Sequence, residues 1–300
     1  MKRRFVTLDV FTTQAHAGNP LAVVLDAEGL DTEAMQAITR EFNLSETVFV
    51  APPAEAGHRA AIRIFTPGRE LPFAGHPTVG TAVLLALRDA ADGMGADLLV
   101  LEEKVGLVPC AVSVDGPRSG RAVFTMPRLP QEIEAASANA ALAAVLGLEE
   151  SEIGFEAHRA AVFSAGVPFT FVPVAGLDAI GRVKLDLSRW DAVMKPAEHP
   201  NAFVYCRQTV ETGHHYHARM FWPGAGIAED PATGGAAAAF AGVVMAFDKP
   251  ADGEHRFVIE QGYEMGRPSQ IVLELTVASG ALVSARIGGS AVLVSEGVLL

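Results

Sequence analysis

Phe73-Ala74-Gly75-His76-Pro77-Thr78-Val79-Gly80-Thr81-Ala82 leads into the stretch that decides the fold. Residues 71–87 carry no charge while His76 is neutral, and residues 77–87 read as a helix that is apolar on every side. Pro77 suits the first helical position, where a missing N–H costs nothing. A membrane span needs roughly 20 apolar residues, and this run is rich in Gly, Ala and Thr, so the helix is expected in a protein core, wrapped by sheet. Ala228-Glu229-Asp230-Pro231-Ala232-Thr233-Gly234-Gly235-Ala236 leads into a second helix of the same kind within residues 231–247.

Other segments repeat in the same order. Arg63-Ile64-Phe65-Thr66-Pro67-Gly68 matches Arg219-Met220-Phe221-Trp222-Pro223-Gly224 at an offset of 156. Pro77-Thr78-Val79-Gly80-Thr81-Ala82 matches Pro231-Ala232-Thr233-Gly234-Gly235-Ala236 at an offset of 154. Weaker matches join residues 17–21 to 165–169 and 48–50 to 202–204. Two like-folded halves of about 150 residues follow, the usual domain size. We expect an N-terminal domain over 1–118 and a C-terminal domain over 119–285, with 286–300 returning to the first. Residues 115–120 are the linker candidate.

In the first half, strands are expected over 4–11, 19–25, 45–51 and 59–65, then over 99–102 and 107–114. Asp31 or Thr32 can cap a helix with Met35, Ile38 and Phe42 at helical spacing, ending near Asn43. The second half repeats this pattern and adds a helix near 140–148.

Composition sets outer limits. The chain has 300 residues, half of them hydrophobic, with 23 Lys+Arg against 35 Asp+Glu and a net charge of −12. That is globular composition, and its acidity argues against a nucleic-acid partner or an anionic membrane surface. Cys110 and Cys206 make neither a disulfide framework nor a zinc cluster, which fits a cytoplasmic setting. Asp9 breaks the N-terminal apolar stretch and argues against a signal peptide. Gly288-Gly289-Ser290 lacks the Lys and helix of a phosphate loop, and no dinucleotide fingerprint follows a strand.

The candidate chemistry lies just before the two core helices, at His76 and Asp230. Helix amino ends attract anions through free N–H groups and the macrodipole. Asp230 before Pro231 also fits an ordinary N-cap, whereas His76 is a poor one. Glu46 shares a strand face with Leu44, Val48 and Val50 by alternation. A carboxylate there is expected to have a raised pKa suited to proton transfer, and the alternative is a strand-end Glu facing solvent. His215 and His217 share a strand face without a third ligand, so no metal site is expected. Cys110 and Cys206 read as core thiols.

Seven stretches taken together resemble the PhzF-like (phenazine-biosynthesis-like) family across the whole chain. They are Leu8-Asp9-Val10-Phe11-Thr12, Gly18-Asn19-Pro20-Leu21-Ala22-Val23, Asn43-Leu44-Ser45-Glu46-Thr47-Val48-Phe49, Phe65-Thr66-Pro67, Gly75-His76-Pro77-Thr78-Val79-Gly80-Thr81-Ala82, Glu229-Asp230-Pro231-Ala232-Thr233-Gly234 and Gln261-Gly262-Tyr263-Glu264-Met265-Gly266-Arg267-Pro268-Ser269. The resemblance implies an α+β, diaminopimelate-epimerase-like fold. Two pseudo-symmetric domains would each wrap a barrel-like, mostly antiparallel sheet around a central helix, with the active site between them. It implies isomerase chemistry without cofactor or metal on a small carboxylate-bearing substrate, and a homodimer.

By the same resemblance Glu46 moves a proton between two carbons, and His76 and Asp230 assist. Asn19, Gly75, Thr233, Gly234 and Gly235 bind the substrate. Related epimerases carry a Cys at each helix start, which this chain lacks, so a two-thiol racemase is disfavoured. Gly235 stands where members often carry Ser, which puts the phenazine-precursor substrate in question. The alternatives are an epimerase or racemase acting at one carbon, and a non-catalytic protein that binds small acids.

Overall fold

The computed structural model describes every residue except Met1, Ala96, Pro196, Ala197 and His199. Two compact units emerge, one of residues 1–127 with 288–300 and one of residues 128–287.

The first unit runs β1 (Arg3–Val10), β2 (Asn19–Val24), α1 (Thr32–Phe42), β3 (Glu46–Ala51), β4 (Ala60–Phe65), β5 (Glu70–Leu71), α2 (Gly75–Ala91), β6 (Leu98–Glu103), β7 (Gly106–Gly116) and β8 (Ser119–Thr125). β1 pairs antiparallel with β2, β2 parallel with β3, β3 antiparallel with β4, and β4 parallel with β6. The hairpins β6–β7 and β7–β8 extend the ladder. Residues 115–120, expected as a linker, are the turn between β7 and β8. The last strand of the chain pairs with both β8 and β1, so eight strands close into a ring.

α2 fills the ring. Every residue from Gly75 to Leu87 is buried, and the helix touches β1, β2, β3, β6, β7 and β8. Such burial contributes about 1.5–3 kcal/mol for each large apolar side chain. Gly80 allows the close approach, because a Cβ there would lie 2.7 Å from side-chain atoms of Leu21 and Val10. α1 packs against Val24, Ala27, Phe49 and Phe65 through Met35. Asp31 caps it, accepting the Ala34 N–H at 2.8 Å, and Asn43 ends it in the left-handed conformation.

The second unit runs β9 (Gln131–Glu134), α3 (Asn139–Leu146), β10 (Ala161–Ser164), β11 (Pro168–Pro173), α4 (Leu177–Gly181), α5 (Leu187–Val193), β12 (Ala202–Cys206), β13 (Tyr216–Trp222), β14 (Ile227–Asp230), α6 (Gly234–Val243), β15 (Gly253–Gln261) and β16 (Ser269–Ala278). The pairings repeat those of the first unit. β10–β11 is antiparallel, β11–β12 parallel, β12–β13 antiparallel, β13–β15 parallel and β15–β16 antiparallel. α6 takes the place of α2 and packs against β9, β10, β11 and β16. β17 (Ala281–Leu299) leaves this unit, and its residues from Gly288 onward belong to the first. Gly288-Gly289-Ser290 lies inside this one strand.

Both helix starts differ from the expectation. α2 begins at Gly75 with Ala74 as N-cap, so His76 lies inside the first turn and Pro77 is its third residue. Proline fits there equally well, since no first-turn N–H has a helical partner. α6 begins at Gly234 with Thr233 as N-cap, and Asp230 ends β14. The N-cap reading of Asp230 is thereby corrected.

Candidate active site

Each unit presents one group of functional side chains. In the first, β2 and β3 run parallel with Leu21 opposite Glu46. Asn19, wholly buried, therefore sits at the same strand end as Glu46. The Glu46 side chain is 13% exposed, so it is not a solvent-facing strand end. Alternation alone did not single out its face, because Thr47–Val50 are buried on both faces of β3. His76 is buried, with Nε2 3.4 Å from Glu46 Oε2. That is longer than an ordinary N–H···O bond, yet within reach of one by a small movement.

Burial pushes the His76 pKa down to about 3, so the imidazole is neutral near pH 7 and can accept or donate a proton. The unfolded value is 6.5, so between pH 6.5 and 3 the unfolded chain binds the extra proton. This contribution to stability is fully present above pH 6.5 and is lost as pH falls toward 3. Between pH 7 and pH 5 His76 is expected to cost the fold about 2 kcal/mol. Urea titration of wild type and His76→Asn at both pH values checks this, and equal pH dependence in the two would contradict it.

In the second unit Asp230 is buried at the end of β14, opposite Met220. The Thr233 hydroxyl donates to Asp230 Oδ2. Gln261, wholly buried at the end of β15, braces the whole turn. Its Oε1 accepts the Thr233 N–H at 3.1 Å, and its Nε2 donates to the Asp230 carbonyl at 2.7 Å and to Thr233 Oγ1 at 3.0 Å. Neither N-cap residue, Ala74 of α2 nor Thr233 of α6, caps its helix with a side-chain hydrogen bond. The N–H groups of Gly75, Gly234 and Gly235 therefore lie in uncapped first turns suited to an anion. A Cβ on Gly235 would lie 3.7 Å from the Phe169 ring, an ordinary contact, so a serine meets no steric bar here.

The repeated Arg of the two long matches has a structural task. Arg63 forms a two-point ion pair with Glu70 at 2.7 and 3.0 Å, and Arg219 does the same with Glu229 at 2.8 Å twice. Each pair ties a strand to the hairpin that precedes a core helix. Among the histidines near β13, His214 and His217 meet on one residue, at 2.7 and 2.8 Å from Glu260. His217 also faces Glu264 at 2.9 Å, and the two carboxylates raise its pKa to about 9 against its burial. Burial pushes both thiols, Cys110 and Cys206, up to about 12. Among the described residues Glu156, His158 and Asp248 have metal-ligand spacing, but the Arg207 guanidinium reaches all three.

The chain matches the family described as phenazine biosynthesis-like protein over residues 8–297. It is 55% identical to a Mesorhizobium japonicum protein named an uncharacterized isomerase, over 99% of this chain and 98% of that one. It is 34% identical to the trans-2,3-dihydro-3-hydroxyanthranilate isomerase of Pseudomonas aeruginosa, over 98% of each. The crystal structure of a Bacillus anthracis PhzF-family protein superposes with a TM-score of 0.88 at 29% identity, covering 100% of this chain and 99% of that one. The fold is thus the diaminopimelate-epimerase-like one. The chain belongs to the phenazine biosynthesis-like family, and it is an isomerase of that family.

Proposed function

We propose that the chain shifts a proton between two carbons of a small cyclic carboxylate of the trans-2,3-dihydro-3-hydroxyanthranilate kind, with Glu46 as general acid and base. The carrying observation is the largely enclosed Glu46 carboxylate, 13% exposed, with the buried His76 Nε2 3.4 Å from it. Glu46 takes the proton from a saturated ring carbon, and the electron pair moves along the adjoining double bonds. The same carboxyl returns the proton to a second carbon and ends ionised, as it began. The reaction needs no oxidant and no second substrate.

Asp230 and the neutral His76 exchange protons with the amino and hydroxyl groups of the substrate. Asn19 and the first-turn N–H groups of Gly75, Gly234 and Gly235 hold its carboxylate and offset the charge that develops during transfer, and Thr233 orients Asp230. Cys110 lies in β7 and Cys206 in β12, not at the core-helix starts, and burial pushes both thiols up, which argues against them as the paired bases of a racemase. Support for the substrate class is the 34% identity to an isomerase of that name. A homodimer in the cytoplasm is part of the same proposal and rests on the family likeness.

The test offers trans-2,3-dihydro-3-hydroxyanthranilate to the purified protein and follows its absorbance. Turnover is expected. Its absence would move the substrate to another small cyclic acid.

A further inference from the structure

Glu103 ends β6 as Gln261 ends β15. The two parallel ladders fix this equivalence, since Ala61 stands opposite Glu102 and His217 opposite Glu260. The preceding residues behave alike. Glu102 accepts the N–H groups of Ala54 and Glu55 and meets His58 Nδ1 at 2.7 Å. Glu260 accepts those of Val210 and Glu211 and meets His214 Nδ1 at 2.7 Å. The next residue in each unit turns to the core helix. Gln261 braces the turn before α6, and Glu103 reaches Thr78 in the first turn of α2, with Oε1 2.7 Å from Thr78 Oγ1.

Proton accounting decides the state of Glu103. Thr78 Oγ1 also lies 2.7 Å from the Ala74 carbonyl. A hydroxyl carries one proton, and a carbonyl can only accept. If Thr78 donates to Ala74, the proton in the second contact comes from Glu103. If Thr78 donates to Glu103 instead, two acceptor oxygens face each other at 2.7 Å with nothing between them. Only a protonated Glu103 satisfies both contacts. Its other oxygen, Oε2, is buried without a hydrogen bond among the described residues, a costly place for a negative charge. Burial pushes the carboxyl up to about 8. Cys110 on β7 is the titratable group coupled to it, and the neighbouring Lys104 turns to Glu70 at 3.5 Å.

We propose that Glu103 is kept as the neutral acid and braces the first turn of α2, as the amide of Gln261 braces that of α6. Glu103 is a positioning residue that keeps His76 at its station beside Glu46. Its bearing on turnover rests on the proton-shift reading above, whereas the bracing itself does not.

The experiment compares wild type, Glu103→Gln and Glu103→Met at pH 7. Infrared difference spectra of wild type minus Glu103→Gln are expected to show the carbonyl band of a protonated carboxylic acid. Amides in the segment 78–82 are expected to exchange hydrogen about tenfold faster in Glu103→Met. Glu103→Gln, which keeps a donor, restores wild-type exchange, and turnover follows the same order with kcat rather than KM affected. A carboxylate band in place of the acid band, or unchanged exchange in Glu103→Met, overturns the proposal. Should Glu103→Met fail to fold, the infrared comparison decides. Both readouts need no substrate, so an inactive wild type would count against the proposed function and not against this bracing.

Discussion

Glu46→Gln is expected to lower turnover by about 10²–10⁴-fold, the range for a positioned general acid or base. Glutamine has nearly the size of glutamate, so the packing of the β3 end and of Asn19 is retained and the thermal midpoint should stay close to that of wild type. What disappears is the basic oxygen. KM should change little, because in the proposed function backbone N–H groups, and not the Glu46 carboxyl, hold the substrate carboxylate. Steady-state kinetics on the purified variant checks this. Turnover within about twofold of wild type would remove Glu46 from the chemistry.

The largest expected loss of stability comes from Gly262→Ala. Gly262 has φ +78, and a Cβ there would lie 2.5 Å from the Arg267 carbonyl oxygen, 2.6 Å from that of Pro231 and 3.0 Å from Pro231 Cα. All three are backbone atoms and cannot rotate aside. Left-handed strain and the clash together are expected to cost about 3 kcal/mol. Pro231 follows Asp230, and Gln261 precedes Gly262, so turnover should fall as well. Gly266→Ala is the control. It has φ +69 with nothing within 4 Å of the added carbon, so about 1 kcal/mol of strain remains. Urea unfolding of the two variants separates the contributions, and equal losses would contradict the backbone contact.

The two core helices were legible because their apolarity on all sides leaves a surrounding sheet as the simplest solution, and because the same turn precedes each. Their start points were not. Gly75 and His76 have little helix propensity, and enclosure by the strands, rather than local preference, makes them helical. Glu46 was singled out by motif, and alternation did place it on the buried face of Val48 and Val50, although β3 is buried on both faces and alternation alone could not single that face out. Asp230 was mistaken for a possible cap because Asp-Pro is a familiar helix start. The Thr233 hydroxyl and the Gln261 amide hold it in a strand end instead. Glu103 and Gln261 could not be paired from sequence. Glu and Gln look unrelated, and only the parallel ladders β4–β6 and β13–β15 reveal that they occupy one position twice.

The central claim is that one carboxyl moves a proton from one carbon of the substrate to another. Its most direct measurement is proton NMR of trans-2,3-dihydro-3-hydroxyanthranilate with the protein in D₂O. An isomerised product is expected, with any solvent deuterium at the newly saturated carbon, and a reaction about 10²–10⁴-fold slower with Glu46→Gln. Exchange with inversion at a single carbon, or saturable binding without any reaction, would contradict it.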